Sequence, residues 1–493
     1  MPSAWGTSEA VILALFFAVQ ILYSLSMIAH VWFRTMPKNM VEQADIDAVD
    51  RSSLPFIVLF YPVLRELETT MRTTFRTIAN IDYPATRFRV VAIPNANDRE
   101  TVESLQRLEE DFQFLEILQV PATSDPSWQV VWDAWDSNPK AYWWHQGARA
   151  GNCSLPPKKT RQLIYAFYQT AASFHGKEEF LVNYIDADSC PPRDHFLAGA
   201  AGIKKFDVLQ AQNIAGNLLG SMASTWHAVD HMAWDGLTYP HISADGKQPF
   251  WVLGKGLFFK ASDLVELGGF HPWTTIEDPE VGMRFWINGK RIGIIENPLI
   301  EEVPTTIAQG ITQRKRWVCG FFQSLSAPLK FMGYTPWQRF RAWLNFLPCL
   351  SLAVNSVGFP LGVWAIWSQW RGDNLIPEAG VWLALGNIAA LSLVLVSLYV
   401  SIWKRSRLVL DSRLKRAWYL VRVNPLSLML WWLIWCIPLW IGFRMFRKDE
   451  GLVWERTVKI DANHDLIRSD RGGDSLPMDG EALPAAAAVK TGG

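Results

Sequence analysis

The chain interleaves stretches that a water-soluble fold has no room to bury with one long stretch of ordinary polar character. Ala10 to Phe33, Ala342 to Trp370 and Ala379 to Trp403 contain no Asp, Glu, Lys or Arg. Each is long enough to cross, as a helix, a hydrocarbon layer of about 30 Å. No Lys or Arg precedes the first, and no small-residue cleavage site follows it, so it reads as a retained anchor. Arg34 and Lys38 come directly after it, and a run from Lys404 to Arg422 follows the third. Positive charge favours the cytoplasmic side, so the N-terminus is expected outside and residues 40–330 inside. A fourth apolar stretch, Val423 to Phe443, is basic on both flanks. Its length suits a crossing, whereas its charges suit a helix lying in the interface.

Residues 40–330 alternate apolar runs with helical spacing, the pattern of an α/β layer fold. Phe56 to Phe60, Arg89 to Ile93 and Phe180 to Ile185 read as strands, and Glu68 to Ile78 and Thr101 to Phe112 as helices. The third strand runs straight into Asp186-Ala187-Asp188, and open parallel sheets bind ligands beyond their carboxyl ends. The expected organisation is an anchor at 1–34, an α/β domain at 40–330, helices at 336–448 and a tail at 449–493. The tail is rich in Gly, Pro, Asp and Ala from about Ser469 and reads as largely disordered.

Composition excludes several classes. Lys plus Arg equals Asp plus Glu at 47 each, which gives no support for nucleic-acid binding. The five cysteines form no CxxC pair, so neither a zinc site nor a disulfide framework is indicated. Trp128, Trp132 and Trp135 share one helical face. That face reads first as a helix docked on protein or lipid, and second as a stacking platform for sugar rings.

Three islands carry chemistry. Asp186 and Asp188 suit a hard divalent cation, Mg²⁺ or Mn²⁺, on a diphosphate. Alone, such a pair is common in surface turns; its position after an apolar strand favours the ligand reading. Glu277-Asp278 opens a helical run to Asn288, where a carboxylate can serve as a general base or merely complement the helix dipole. In Gln313-Arg314-Lys315-Arg316-Trp317, Arg316 can hold phosphate oxygens and Trp317 offers a flat face to a sugar. The plain alternative is a basic segment anchored to anionic lipid.

An Asp-x-Asp, a Glu-Asp and a Gln-x-x-Arg-Trp in that order between membrane helices resemble the membrane-embedded family 2 glycosyltransferases, the group of cellulose, chitin and hyaluronan synthases. Pro62 to Glu66 resembles their nucleotide-touching loop, Lys159 to Ala166 their Lys-x-x-Ala-Leu-Asn-x-Ala segment, and Gly254-Lys255-Gly256 the small-residue turn against the donor. The similarity spans about residues 55–325. It implies a GT-A nucleotide-sugar fold and an inverting transfer from a UDP- or GDP-sugar to a glycan or lipid-linked acceptor. It implies Asp278 as base beside Glu277, and Asp186 and Asp188 on the metal and diphosphate. Pro62, Glu66, Asp98 and Lys159 would serve the donor, and Gly254, Gln313, Arg316 and Trp317 the acceptor and diphosphate. The resemblance further implies an integral protein of a bacterial plasma membrane, with its catalytic domain cytoplasmic.

Three departures stand out. Pro94-Asn95 replaces the paired Asp that reads the base, with Asp98 displaced; Ile164 stands where the segment has Asn; and no Phe-x-Val-Thr loop follows Trp317. Trp454 to Thr457 resembles a cytoplasmic ending of such enzymes and favours an interfacial fourth segment. Building a β-linked polysaccharide is the leading expectation, and adding one sugar to a lipid is the alternative. Few helices are available for a channel from one chain, which leaves an oligomer open. A non-catalytic transporter or scaffold that senses nucleotide sugars is the rival from another class. The spans lack the interior charges that mark ion pathways.

Overall fold

The computed structural model describes residues 7–242, 252–373, 375–451, 459–464 and 466. Trp454 to Thr457 and the tail from Ser469 lie outside the described residues, as does the side chain of Cys349. Cys153, Cys190, Cys319 and Cys436 are free.

One sheet of eight strands organises the α/β domain, in the order β1-β8-β6-β7-β5-β2-β3-β4. Its strands are β1 (Met40–Val41), β2 (Phe56–Pro62), β3 (Phe88–Ile93), β4 (Leu115–Ile117), β5 (Phe180–Tyr184), β6 (Val208–Ala215), β7 (Leu257–Lys260) and β8 (Ile292–Glu301). All neighbours pair parallel except β7, which runs antiparallel to both β5 and β6. β2 reads as an unbroken apolar run because both of its faces are covered. Val58, Phe60, Val182 and Tyr184 pack on one side; Ile57, Leu59, Tyr61 and Leu181 pack on the other.

Helix α1 (Thr7–Thr35) is the N-terminal apolar helix. On one face of the sheet lie α2 (Glu68–Ala79), through Met71, Phe75 and Ile78, and α3 (Arg99–Asp111), through Leu105 and Leu108. On the other face lie α4 (Gln129–Asp136) and α5 (Lys159–Ser173), the latter through Leu163, Ile164 and Phe167. The family-like Asn position at Ile164 is therefore core. The tryptophans of the insertion turn inward, with Trp128 and Trp135 wholly buried and Trp135 Nε1 donating to Gly268 O at 2.9 Å. Trp128 stacks on Trp132, and Trp132 on Trp144. The insertion is docked on the domain and offers no open platform.

α6 (His195–Gly202) and α7 (Met222–Ala233) follow, then α8 (Asp278–Ile287) and the long α9 (Ile307–Phe331). The last four helices are α10 (Pro336–Arg371), α11 (Glu378–Arg405), α12 (Arg413–Arg422) and α13 (Pro425–Arg447). Among the described residues, Ser8–Thr35, Glu378–Leu408 and Pro425–Arg447 are long and apolar enough to cross a membrane. Polar side chains join α1 to α10 and to α11: Tyr23 OH donates to Asn355 Oδ1 and Ser24 Oγ to Asn387 Oδ1, both at 2.8 Å. Such bonds supply specificity where burial of apolar surface cannot.

α13 behaves differently from a helix that leaves the domain. Near its start, Trp226 Nε1 donates to Ser427 Oγ at 2.5 Å. In its last third, Gly442 lies so close to α9 that a Cβ there would sit 2.6 Å from Lys315 O. Just past its end, Arg149 pairs with Asp449 at 2.7 Å. Both ends thus meet the α/β domain.

His195 is wholly buried against Phe196 and Phe258, with neither ring nitrogen hydrogen-bonded, and burial pushes its pKa down to about 3. The unfolded chain takes up this proton below about pH 6.5, and the folded chain refuses it down to about pH 3. Stability therefore rises with pH across that window and is lost as pH falls through it. Thermal unfolding between pH 7.5 and 5 is expected to show a shallower pH dependence in His195→Leu than in the parent; equal slopes would contradict the assignment.

Candidate active site

The parallel strands that contribute to the cleft end at the same edge of the sheet, where the antiparallel β7 begins. β2 delivers Pro62 and the loop to Glu66, β5 delivers Asp186 and Asp188, and β8 delivers Glu301 and Glu302. The turn after β5 is pinned by its middle residue, since Tyr61 OH and Thr74 Oγ1 both donate to Ala187 O, at 2.5 and 3.0 Å. Asp186 keeps about half its surface open to the cleft, whereas Asp188 is buried.

Lys159, in the first turn of α5, joins two islands. Its Nζ lies 2.6 Å from Asp186 Oδ1 and 3.4 Å from Glu277 Oε1. Gly254 closes in from the turn before β7: a Cβ there would stand 3.5 Å from Asp278 Oδ2 and 3.6 Å from Lys159 Nζ. The bare Gly254 leaves that corner open, and its φ of +23° and the +56° of Gly256 suit glycine. Glu277 accepts from Thr160 Oγ1 at 3.3 Å. The loop ahead of it is clamped to α9, where Thr275 N donates to Gln323 Oε1 at 2.7 Å and Ile276 fills the space beside Gly320.

The charges are unevenly balanced. Burial and then the neighbouring Glu277 hold the Asp278 carboxyl well above the usual carboxylate range, against the pull of Lys159. Its depth in the cleft pushes Asp186 the same way, but Lys159, followed by Lys459 and Arg316, brings it out below its ordinary value. Burial, with Asp188 and Asp186 nearby, pushes Glu301 up to about 8.

The third island lies on α9. Gln313, Arg316 and Trp317 face the same cavity as Asp186 and Asp278. Arg314 also borders the cavity but is itself buried: its Nη2 pairs with Asp230 of α7 at 2.5 Å, and its guanidinium lies 4.9 to 5.3 Å from the rings of Trp431, Trp435 and Trp317. Asp230 also accepts from Trp431 Nε1 at 3.2 Å and Trp435 Nε1 at 3.4 Å.

Of the sequence-predicted residues, Pro62, Glu66, Lys159, Asp186, Asp188, Gly254, Glu277, Asp278, Gln313, Arg316 and Trp317 line one cavity. Asp98 does not; it accepts from Arg65 N at 3.1 Å and Thr101 Oγ1 at 2.8 Å, and so holds the loop that carries Glu66. Arg65 needs that support, having a φ of +51°. Asn95, where the paired Asp was expected, accepts from Arg161 Nη2 at 2.6 Å.

Sequence reasoning missed Asp230, His231, Glu301, Glu302 and Lys459, which also line the cavity. Lys459 Nζ lies 2.5 Å from Asp188 Oδ2, which also accepts from Glu302 N at 2.9 Å. Glu302 accepts from Ile460 N at 3.0 Å and Ala462 N at 2.6 Å, so residues 459–462 are tied across the cleft. Two adjacent acids after the apolar run at Ile292 were the one local signal for Glu301 and Glu302. Among the described residues, no three His, Cys, Asp or Glu side chains cluster as a self-sufficient metal cage.

Replacing Asp230 by Asn keeps the shape and strips the charge from beneath a buried guanidinium. The expected cost is about 3–5 kcal/mol, the penalty for a buried ion left without its partner. It is read as a lower unfolding temperature, and an unchanged one would show the pair to be dispensable.

The sequence matches the family model described as glycosyl transferase family group 2 over residues 181–445. No curated protein matches the chain. Among solved structures, the mannosyltransferase PcManGT from Pyrobaculum calidifontis, in complex with GDP-Man and Mn²⁺, is similar at 16% identity and a TM-score of 0.48, over 88% of this chain and 98% of that one. S. aureus TarS 1-349 is similar at 11% identity and a TM-score of 0.33, over 80% of this chain and 92% of that one. The same fragment in complex with UDP-GlcNAc gives a TM-score of 0.32 at 11% identity, with the same coverage.

Proposed function

The chain belongs to glycosyl transferase family group 2, and from that premise we propose that it transfers a sugar, with inversion, from a nucleoside diphosphate sugar to an acceptor hydroxyl at the cytoplasmic face of a membrane. The observation that carries this reading is the convergence of Asp186, Glu277-Asp278 and Gln313/Arg316/Trp317 on one cavity, from three distant parts of the sequence.

In this reading the nucleoside rests against Pro62 and Glu66, on the loop that Asp98 supports. The diphosphate lies towards Asp186, Asp188 and Arg316. Asp278 takes the proton of the acceptor hydroxyl as its oxygen attacks the anomeric carbon; the bond from that carbon to the diphosphate oxygen breaks, and the nucleoside diphosphate leaves with the electron pair. Trp317 and Gln313 hold the sugar being attacked. Burial suits Asp278 to the task, because a carboxylate with a raised pKa is the stronger base. A UDP- or GDP-sugar fits the donor role, as GDP-Man and UDP-GlcNAc are bound by the similar proteins above.

Asp186 and Asp188 fit Mg²⁺ or Mn²⁺: Mg²⁺ sites of this kind use one or two carboxylates and complete their shell with substrate phosphates, so a two-carboxylate donor set suffices. Such an ion would neutralise charge on the departing diphosphate. Lys159 and Lys459 now face those two carboxylates and provide the balancing charge.

Basic residues around Arg34 and from Lys404 to Arg422 support a cytoplasmic α/β domain. We assign α13 to the interface, beneath the domain, because both of its ends meet that domain. Growth of a β-linked polysaccharide and a single addition share the same first step.

Asp278→Asn is expected to reduce turnover at least about 100-fold, the usual contribution of a general base, while nucleotide affinity stays close to that of the parent. Full activity in that variant would sink the base assignment. Donor binding without turnover in the parent, on every acceptor, would favour the sensor reading. Chelation of divalent cations is expected to stop turnover, and Mn²⁺ or Mg²⁺ to restore it; turnover unaffected by chelation would exclude the metal role of Asp186 and Asp188.

A further inference from the structure

The cavity does not stop at the sugar-handling residues. Past Trp317 it continues between α9, α10 and α13, where Phe321, Phe322, Leu352, Trp435 and Leu439 form its wall. α10 and α13 cross at that point: Cys436 Sγ lies 3.6 Å from Leu352 O, and Trp440 Nε1 donates to Ser356 Oγ at 2.8 Å. Phe322 packs its ring 5.3 Å from Phe443 and 5.4 Å from Phe446, continuing the apolar wall along α13. The outer surfaces of the same two helices are apolar and exposed, with Val363 and Ile366 on α10 and Leu433 and Ile437 on α13. The far end of the cavity is therefore set among helices whose other faces suit hydrocarbon.

Its chemistry is one-sided. Trp435 is the wall's one hydrogen-bonding side chain of these five, and its Nε1 is spent on Asp230. Among the described residues, these five thus present rings and methyl groups. A sugar chain laid there would bury hydroxyls without partners, which is costly, whereas an acyl or isoprenoid chain would lose nothing. The polar end lies close by, since Ile276, two residues before Asp278, packs on Gly320 in the same turn of α9 as Phe321 and Phe322.

We propose that the acceptor is a membrane lipid with an uncharged hydroxyl head group, seated with its hydroxyl at Asp278 and its hydrocarbon between α9, α10 and α13. This rests on the transferase reading above and names its acceptor class. The head group is a hydroxyl because Asp278 is useful only to an acceptor that has a proton to lose; a lipid phosphate at neutral pH is already an anionic nucleophile, and it would face Glu277 and Asp278. The transfer forms a bond from the lipid oxygen to the anomeric carbon, moves the hydroxyl proton to Asp278 and releases the nucleoside diphosphate.

The test uses the full chain in phosphatidylcholine vesicles with GDP-mannose, UDP-GlcNAc and UDP-glucose, with Mn²⁺ present. Separate vesicles carry dioleoylglycerol, ceramide or a polyprenyl phosphate, and a further arm supplies soluble oligosaccharides. The expected result is a labelled product that extracts into organic solvent, carries one sugar and forms with dioleoylglycerol or ceramide. Leu439→Trp, and independently Leu352→Phe, are expected to raise KM for that lipid at least about tenfold and to change kcat less, as filling an apolar pocket does. Product formed only on the polyprenyl phosphate, only on oligosaccharides, or as a polymer would overturn the proposal while leaving the transferase reading intact. Equal KM in both variants would overturn the placement of the hydrocarbon. Donor binding with no turnover on any acceptor would overturn the transferase reading, and this proposal with it.

Discussion

Three carboxylates of the cleft are held together by the ammonium group of Lys159. Asp186, Glu277 and Asp278 crowd a space partly closed to water, and carboxylates so close repel one another and resist ionisation. Lys159 reaches the first two from a helix N-terminus, where an acid would be the commoner choice. Burial by itself would drive its proton off, but the surrounding carboxylates outweigh burial and hold the charge firmly on. Its position is set by packing, because α5 seats Leu163, Ile164 and Phe167 in the core. The tryptophan insertion braces α5 from outside, with Trp128 against Tyr165 and Gln169 Nε2 donating to Ser127 O at 2.7 Å. The most aromatic stretch of the domain therefore acts on the site at second hand, by fixing the helix that carries its cation.

A second charge ties the catalytic edge to the apolar helices. Arg314 is held by Asp230 on one side and by three indole rings on the other, two of them from α13. A buried ion pair of this kind is weak evidence for stability, because desolvation consumes most of its attraction. What it supplies is position: Asp230 collects Arg314, Trp431 and Trp435 on one carboxylate, and this sets α7, α9 and α13 in register. Gln313, Arg316 and Trp317 share α9 with Arg314, so their presentation to the cavity is fixed by the same pair.

Local pattern reached the parts of the fold that are locally encoded. β2, β3 and β5 were legible because each is an apolar run ended by a turn or an acid, and α2 and α3 because their apolar residues recur at helical spacing. β7 has only four residues behind a glycine turn, and β8 is interrupted by Asn297 and Pro298, so neither shows a clean period. The three islands were legible as residue types in order, and all of them line one cavity. Lys459 was not, since it meets Asp188 from 271 positions away with no periodicity to announce it. Asp230 was not either, because a single acid on a helix looks the same whether it faces water or a buried guanidinium. Asp98 was legible as important but not in its action, which passes through the amide of Arg65 rather than into the cavity.

The fourth apolar stretch shows why hydropathy and charge disagreed. α13 is apolar all round, and that is the composition of a spanning helix. It is equally the composition of a helix with protein on one side and lipid on the other. Trp431, Cys436 and Leu439 are buried, while Leu426, Leu433, Ile437 and Trp440 are exposed. A running average counts both faces and cannot tell what each one touches. The basic flanks are a separate signal, and the interfacial placement proposed above agrees with it, because both ends of this helix meet the same domain. Arg422 supports the approach to α13 by donating to Leu219 O at 2.9 Å, and Arg149 closes its far end on Asp449, so each flank meets the α/β domain through an arginine. A helix bound at both ends and along its length to α9 becomes part of the site's floor. The acceptor proposed above would lie along its edge, between α13 and α10.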